Sequence, residues 1–473
     1  MVAVRGIINP TRLSSLVRPV SYDWTIYTQQ ASRKISSLTE TETKIIKTYN
    51  ECSTPHYQKL PIVFKKGNGI KLETVSGSTY FDMNMAYAAS RWGHGPIPSE
   101  IIESSHGTIP SQAMHTQSLS EALSLTNTLF SKLIFNPNQE QTKVLILNTG
   151  GEIVDSAQQT FKRMYGPENT VIFIPIGNFN GRREFANRSN DSDVTVGVNN
   201  NQLNIDNQRR CFIEFNNIEQ LDLAVKLAQK KGLNSAILLE LIQGEGGVEP
   251  INKDYSQQIS ALQQNSDLFI IADEVQTWGA FPSKNFGAAS HFYGIQPNMF
   301  LAAKCISPFV PVSIGVMTNT TAKNGVYNEG GTFSGNPLAA NSLKYGLNKA
   351  FQDLGNGQSN LDLLYKRGSE RLQVIQKAIQ NNPFIEQVRG IGSMGGIVCK
   401  DEASANYYHD LLLNSGRYLN DKDNICGIIQ KVAGKVGNQR IIRCTTGLGS
   451  EQSEKQLQNH LSILLSEPDL FPK

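Results

Sequence analysis

The sequence predicts an α/β protein built on a mostly parallel central sheet. Two observations carry this. From about residue 143 short apolar runs alternate with amphipathic stretches, the pattern of strands covered by helices on both faces. The residues able to do chemistry fall just after those apolar runs, where ligands sit beyond the carboxyl ends of parallel strands.

The runs, in order, are Lys143 to Leu147, Val171 to Pro175, Ser235 to Leu239, Leu268 to Ala272 and Met299 to Ala303. Between them lie helical candidates at Ile153 to Met164, Gln220 to Lys231 and Tyr255 to Gln264. No internal repeat or long linker interrupts them, and patches such as Asn199-Asn200-Asn201 are polar loops.

Composition fits such a core. Of 473 residues 39% are hydrophobic and 18% charged, with 39 Gly and 19 Pro, which excludes collagen-like, coiled-coil and wholly disordered chains. A net charge of +3 and the lack of a basic run of five leave no footprint for nucleic acid or a membrane surface. No apolar stretch reaches the roughly 20 residues of a spanning helix. Cys52, Cys211, Cys305, Cys399, Cys426 and Cys444 are scattered, without a CxxC pair or His at metal-ligand spacing, and are expected as reduced thiols.

Residues 1 to 22 carry Arg5, Arg12 and Arg18 with Ser14 and Ser15, and no acid precedes Asp23. With apolar Ile7, Ile8, Leu13, Leu16 and Val17 this is the composition of a mitochondrial presequence, so residues 1–34 are expected to be a leader or N-terminal arm and the matrix the destination. A basic arm of a cytoplasmic enzyme has the same composition.

Three places carry chemistry. After Leu147 come Asn148-Thr149-Gly150-Gly151-Glu152 and a helix start; paired glycines there let backbone N–H groups approach an anion, although most Gly-Gly pairs are only turns. Asp273 follows the fourth run, a position for a metal ligand, a base, or the counter-charge to a protonated ring nitrogen. Lys304 ends the fifth. A buried ammonium is costly unless paired or lowered in pKa, and both conditions suit a Schiff-base lysine; a lysine merely leaving the strand for solvent is the plain alternative.

Together these elements resemble the class III pyridoxal-phosphate aminotransferases, from about residue 50 to the end. The likeness lies in Tyr57 to Pro61, Tyr80-Phe81-Asp82, Gly93-His94-Gly95-Pro96, Asn148 to Glu152 and Phe179-Asn180-Gly181-Arg182. It continues in Glu240 to Gly247, Asp273 to Gln276, Lys304, Gly331 to Pro337 and Val388-Arg389-Gly390. The resemblance implies the aspartate-aminotransferase-like fold (fold type I), with the mostly parallel sheet in a large domain plus a smaller α+β domain, and pyridoxal 5'-phosphate (PLP) as cofactor. It implies that Lys304 bonds the cofactor and shuttles the proton, and that Asp273 pairs with the pyridinium nitrogen. It further implies Gln276 near the ring hydroxyl, Phe179 and Val275 on the two ring faces, and Gly150 and Gly151 at the phosphate. Thr332 would reach the phosphate across an interface, making a homodimer the active unit.

Within the family the phrasing is closest to the ornithine aminotransferases. That likeness assigns Tyr57, Tyr87 and Arg182 to the donor, Arg443 to the 2-oxoacid carboxylate, and Glu245 to masking Arg443 while the donor is bound. The expected reaction moves a terminal amine from an ornithine-like donor to 2-oxoglutarate. The alternatives are a GABA- or lysine-type aminotransferase, other PLP chemistry on the same fold, or an impaired homologue serving a larger mitochondrial assembly.

Four segments depart from the family. The loop after the lysine reads Cys305-Ile306-Ser307-Pro308-Phe309-Val310-Pro311, where glycines are usual. Thr445-Thr446 replaces Pro-Pro, Trp278-Gly279-Ala280-Phe281 replaces an aromatic-glycine-arginine segment, and Asn180 replaces His or Trp. The expected domains are 35–95 with 346–473 as the smaller one and 96–345 as the cofactor domain.

Overall fold

The computed structural model describes residues 38–54, 59–106, 114–182, 203–327, 329–355, 357–419, 425–434 and 439–466. The expected leader and Tyr57 lie outside them. The chain divides into two compact units, 1–63 and 64–473.

In the first unit, helix α1 (Glu40–Cys52) opens on a reciprocal cap. Thr39 Oγ1 accepts from the Glu42 N–H at 3.2 Å, and Glu42 Oε2 accepts from the Thr39 N–H at 2.9 Å.

The second unit begins with β1 (Phe64–Asn68), β2 (Lys71–Thr74) and β3 (Thr79–Asp82), then helix α2 (Gln117–Phe130). The alternating region follows: β4 (Thr142–Leu147), α3 (Gly150–Tyr165), β5 (Thr170–Pro175), β6 (Arg210–Ile213), α4 (Ile218–Lys230) and β7 (Asn234–Leu239). After a two-strand ribbon, β8 (Ile242–Gln243) and β9 (Glu249–Pro250), come α5 (Lys253–Ser266), β10 (Phe269–Asp273), β11 (Met299–Ala302) and β12 (Ser313–Thr318). The chain then runs through α6 (Pro337–Phe351), α7 (Asn360–Ala378), β13 (Ile385–Ile391), β14 (Met394–Cys399) and α8 (Glu402–Leu413). It ends with β15 (Ile425–Ile429), β16 (Val432–Ala433), β17 (Ile441–Thr445) and α9 (Glu451–Ser466).

Seven strands form the central sheet in the order β4-β12-β11-β10-β7-β5-β6. β12 runs antiparallel to both its neighbours and the other pairings are parallel. All five apolar runs and all three helical candidates are found, with ends shifted by a few residues. The fold is the α/β fold type I expected.

Alternate residues of each strand supply the two faces. Phe173, Ile237, Leu239 and Ile270 pack with α4 and α5, whereas Ile172, Ile174, Leu238 and Ile271 pack with α3. Because both faces are covered, the open edge of the sheet for a small molecule is its carboxyl end. A second sheet, β13-β14-β17-β16, is wholly antiparallel, and a third joins β1-β2-β3 to β15. All six cysteines are unpaired. Among the described residues no helix is long and apolar enough to cross a membrane.

Candidate active site

The carboxyl ends of β4, β5, β7, β10 and β11 surround a cavity of about 440 Å³. Its lining includes Gly150, Gly151, Phe179, Asp273, Val275, Gln276 and Lys304 from the expected set, with Glu245 at one side. Lys304 and the carboxylate expected to oppose it therefore share one space.

At the end of β4, helix α3 starts on a capping box. Thr149 Oγ1 accepts from the Glu152 N–H at 3.2 Å, while Glu152 Oε2 accepts from the N–H groups of Asn148 at 2.9 Å and Thr149 at 3.1 Å. The first-turn N–H groups of Gly150 and Gly151 remain available at the positive end of the helix. A Cβ on Gly150 would stand 2.8 Å from Val275 Cγ1, so the close approach there requires glycine.

Asp273 closes β10 and is only 3% exposed. Its Oδ2 accepts from Asn180 Nδ2 at 2.8 Å and its Oδ1 from the Val275 N–H at 3.1 Å. Burial raises its pKa, and these two donors with the Lys304 charge oppose the rise.

Glu240, immediately after β7, is the neighbour that the sequence reading passed over. It accepts from the N–H of Phe179 and, at 3.3 Å, from that of Gly244, which fixes the loop carrying Phe179. Burial first, and then the Asp273 charge, push its pKa well above the carboxylate range. Of the two buried carboxyls Glu240 is the more strongly biased towards its neutral form, and Asp273, with the amide donor of Asn180, is the better placed to hold negative charge. The signal was present: like Asp273, Glu240 ends an apolar strand.

Lys304 follows β11 with φ 54°, a left-handed conformation unfavourable for a side chain, which persists because packing over-determines it. Burial pushes its ammonium down to about 8; Arg443 adds to the fall, while Glu245, Glu240 and Asp273 oppose it. A poised, partly neutral amine suits condensation with an aldehyde.

Arg443 in β17 is 3% exposed. Its Nη1 donates to Glu245 Oε1 at 2.9 Å, whereas Nε and Nη2 are buried without partners among the described residues. Glu245 Oε2 also accepts from Lys431 Nζ at 3.4 Å. Burial would raise the Glu245 pKa, yet Arg443 and Lys431 outweigh it and hold the group below its ordinary value. The Tyr87 ring lies beside both cations, 5.2 Å from Arg443 Cζ and 4.7 Å from Lys431 Nζ. Lys431 was not singled out from the sequence, because its place depends on strand pairing.

Four expected residues are off the cavity lining. Tyr87 and Arg443 adjoin it through Glu245, whereas Arg182 is exposed, with its guanidinium 5.6 Å from the Phe179 ring centroid, and Thr332 is exposed in the turn before α6.

The departures have physical roles. Ser307, Pro308, Phe309, Val310 and Pro311 line the cavity, and the loop is tied to α6 by the Ser307 to Ser342 hydroxyl contact at 2.8 Å and by Phe309 against Tyr345. The N–H groups of Thr445 and Thr446 donate to Met83 O at 2.8 Å and Ser393 O at 2.9 Å, bonds that prolines lack the hydrogens to make. Trp278 stacks edge-on with Trp92 and Phe130.

These residues fit PLP: glycines at a helix N-terminus for the phosphate, a buried carboxylate held by two N–H donors for the ring nitrogen, and an amine of lowered pKa. Residues 52–448 match the family described as aminotransferase class-III. Ornithine aminotransferase 2 of Staphylococcus saprophyticus is 29% identical over 374 residues, 76% of this chain and 87% of the relative. Acetylornithine aminotransferase of Methanocaldococcus jannaschii is 25% identical over 351 residues, 72% of this chain and 81% of the relative. Among solved structures, ornithine aminotransferase from Toxoplasma gondii superposes with a TM-score of 0.73 at 19% identity, covering 94% of this chain and 98% of the other. Acetylornithine aminotransferase from Elizabethkingia anophelis gives a TM-score of 0.70 at 24% identity, covering 90% and 99%. The chain belongs to the class III aminotransferases and is a PLP-dependent enzyme.

Proposed function

We propose that the enzyme moves a terminal amino group from an ornithine-like donor to 2-oxoglutarate. The observation that carries this is Arg443: a buried guanidinium held by Glu245 through one nitrogen, with two further donors that the fold itself does not use. A guanidinium masked by a displaceable carboxylate lets one site take a donor without a distal acid and then an acceptor with one.

PLP, when bound, supplies an electron sink for the carbon that carries the amine. The protein does the rest. Lys304 Nζ holds and moves the proton, its lowered pKa leaving a fraction neutral near physiological pH. Asp273 holds negative charge at the ring nitrogen, Gly150 and Gly151 offer N–H groups to the phosphate, Phe179 and Val275 cover the ring, and Gln276 serves its hydroxyl. Tyr57, Tyr87 and Arg182 are assigned to the donor.

The exposed position of Arg182 favours a second reading, a donor without an α-carboxylate such as GABA, or a lysine-type enzyme. A screen of ornithine, lysine, GABA and N-acetylornithine with 2-oxoglutarate decides. Ornithine should give the highest kcat/KM with ping-pong kinetics. GABA preference, or turnover without any oxoacid, overturns the assignment, and a colourless protein indifferent to PLP points instead to a structural subunit of an assembly.

Two further assignments belong to this reading. The active unit is a homodimer in which Thr332 serves the partner's phosphate site; exposed Phe333 and Tyr327, 60% and 69% accessible, lie near it in the chain. Light scattering on the purified protein tests the dimer. The basic, acid-free leader assigns it to the mitochondrial matrix, tested by fractionating cells that express the full chain.

A further inference from the structure

We propose that Lys431 is a positioning residue: the seat that takes the Glu245 carboxylate when a dicarboxylic substrate occupies Arg443. The inference rests on the two-substrate reading above.

The two cations are tied together by backbone. The Arg443 N–H in β17 donates to the Lys431 carbonyl at 2.9 Å, and the Gly434 N–H in the same hairpin donates to the Glu245 carbonyl at 3.0 Å. Glu245 divides its carboxylate between them, one oxygen to each, the Lys431 contact being the longer at 3.4 Å against 2.9 Å. Tyr87 has both cations beside its ring.

The consequence follows from what a substrate carboxylate must do. A carboxylate that takes the open Nε and Nη2 of Arg443 brings a second negative charge against Glu245 and drives it off Nη1. Lys431 is the other ion-pair partner of Glu245 among the described residues. Its four-carbon stem is flexible and its ammonium has three donors, so it can follow the moving carboxylate and take both oxygens. The contact is thus stronger in the acceptor-bound arrangement than in the masked one. Only such a difference shifts the balance between two arrangements.

The test uses the PLP-loaded full chain and glutarate, an unreactive dicarboxylate, with binding measured by calorimetry. Lys431→Met should weaken glutarate about tenfold while the donor half-reaction, followed by the cofactor's absorbance, stays within about twofold. Lys431→Arg should restore binding. In a Glu245→Ala background, Lys431→Met should change nothing further, since the residue acts through Glu245. Equal glutarate affinity in Lys431→Met, a loss that persists without Glu245, or equal slowing of donor and acceptor half-reactions each overturns the proposal. Wild-type protein that binds glutarate but transaminates no donor overturns the two-substrate reading alone. Wild-type protein that binds no glutarate overturns both.

Discussion

Asn180 Nδ2 donates to Asp273 Oδ2 at 2.8 Å, between two side chains that are 1% and 3% exposed. This is the position where the family usually carries His or Trp, and here a neutral amide favours the ionised form of a buried carboxylate. Asp273 already has its pKa raised by burial, with the amide as the largest opposing influence. Removing it moves the ionisation threshold higher still, so the negative charge is lost first at low pH. Asn180→Ala should therefore weaken PLP binding by about tenfold at neutral pH, and by more at about pH 6 than at about pH 8.5, since hydrogen bonds to charged groups are worth about 1.5–3 kcal/mol. Titrating apoenzyme with PLP across that range checks it. A loss of equal size at every pH would mean the amide only packs.

Lys304 gives a second pH signature. Its pKa falls from 10.5 to about 8 in the folded apoprotein, chiefly by burial. Between those values the unfolded chain binds a proton that the native chain does not, so apoprotein stability rises with pH through that window, while below about 8 the native state carries the cost of a buried ammonium. Lys304→Met should raise the Tm of the apoprotein at pH 7, the advantage shrinking as pH climbs from about 8 towards 10.5. The same variant should stay colourless with PLP. Thermal melts at several pH values, with an absorbance spectrum of each loaded sample, check both.

Much of this was legible in the sequence because it depends on local order along the chain. Strands β5, β7, β10 and β11 announce themselves as continuous apolar runs, since each is buried on both faces, and β4 at the sheet edge does so with its apolar end. Asp273, Lys304 and the Gly150-Gly151 pair sit at their ends. What escaped depends on contacts between distant segments. β12 turns antiparallel between β4 and β11 only because the chain returns from the lysine loop, and β6 is a four-residue edge strand. Lys431 meets Glu245 through a hairpin whose pairing no spacing rule specifies. Glu240 obeyed the same strand-end rule as Asp273, but reads as one more residue of a matching segment. Arg182, assigned by likeness alone, is exposed and off the cavity lining.

Gly150 tests the phosphate end. An added methyl would stand 2.8 Å from Val275 Cγ1 and 3.3 Å from Cγ2, so either Val275 moves off the ring position or the first turn of α3 shifts. Gly150→Ala should weaken PLP by about tenfold or more, in keeping with overpacking costs of about 1–3 kcal/mol. The clash names its own remedy. Gly150→Ala with Val275→Ala should regain part of the affinity, and fluorescence titration of both variants shows it. Failure of the second change to help would place the effect in the helix backbone, not in the methyl contact.

Glu240 makes the sharpest distinction between charge and shape. Burial and the neighbouring Asp273 charge push its pKa well above the ordinary carboxylate value, which favours its neutral form. Glutamine copies the neutral charge and keeps an oxygen for the Phe179 N–H, losing only the longer 3.3 Å acceptor for the Gly244 N–H. Glu240→Gln should therefore leave PLP affinity within about twofold at pH 7, whereas Glu240→Ala strands a buried N–H at a cost of about 1–3 kcal/mol and should lower both Tm and affinity. The two also part at high pH. In the wild type, ionisation of Glu240 puts a second negative charge beside Asp273 and the Phe179 loop, and this change is absent in the glutamine variant. Spectral titration from neutral to alkaline pH should show one fewer transition in Glu240→Gln than in wild type, and identical curves would mean that Glu240 is already ionised at neutral pH.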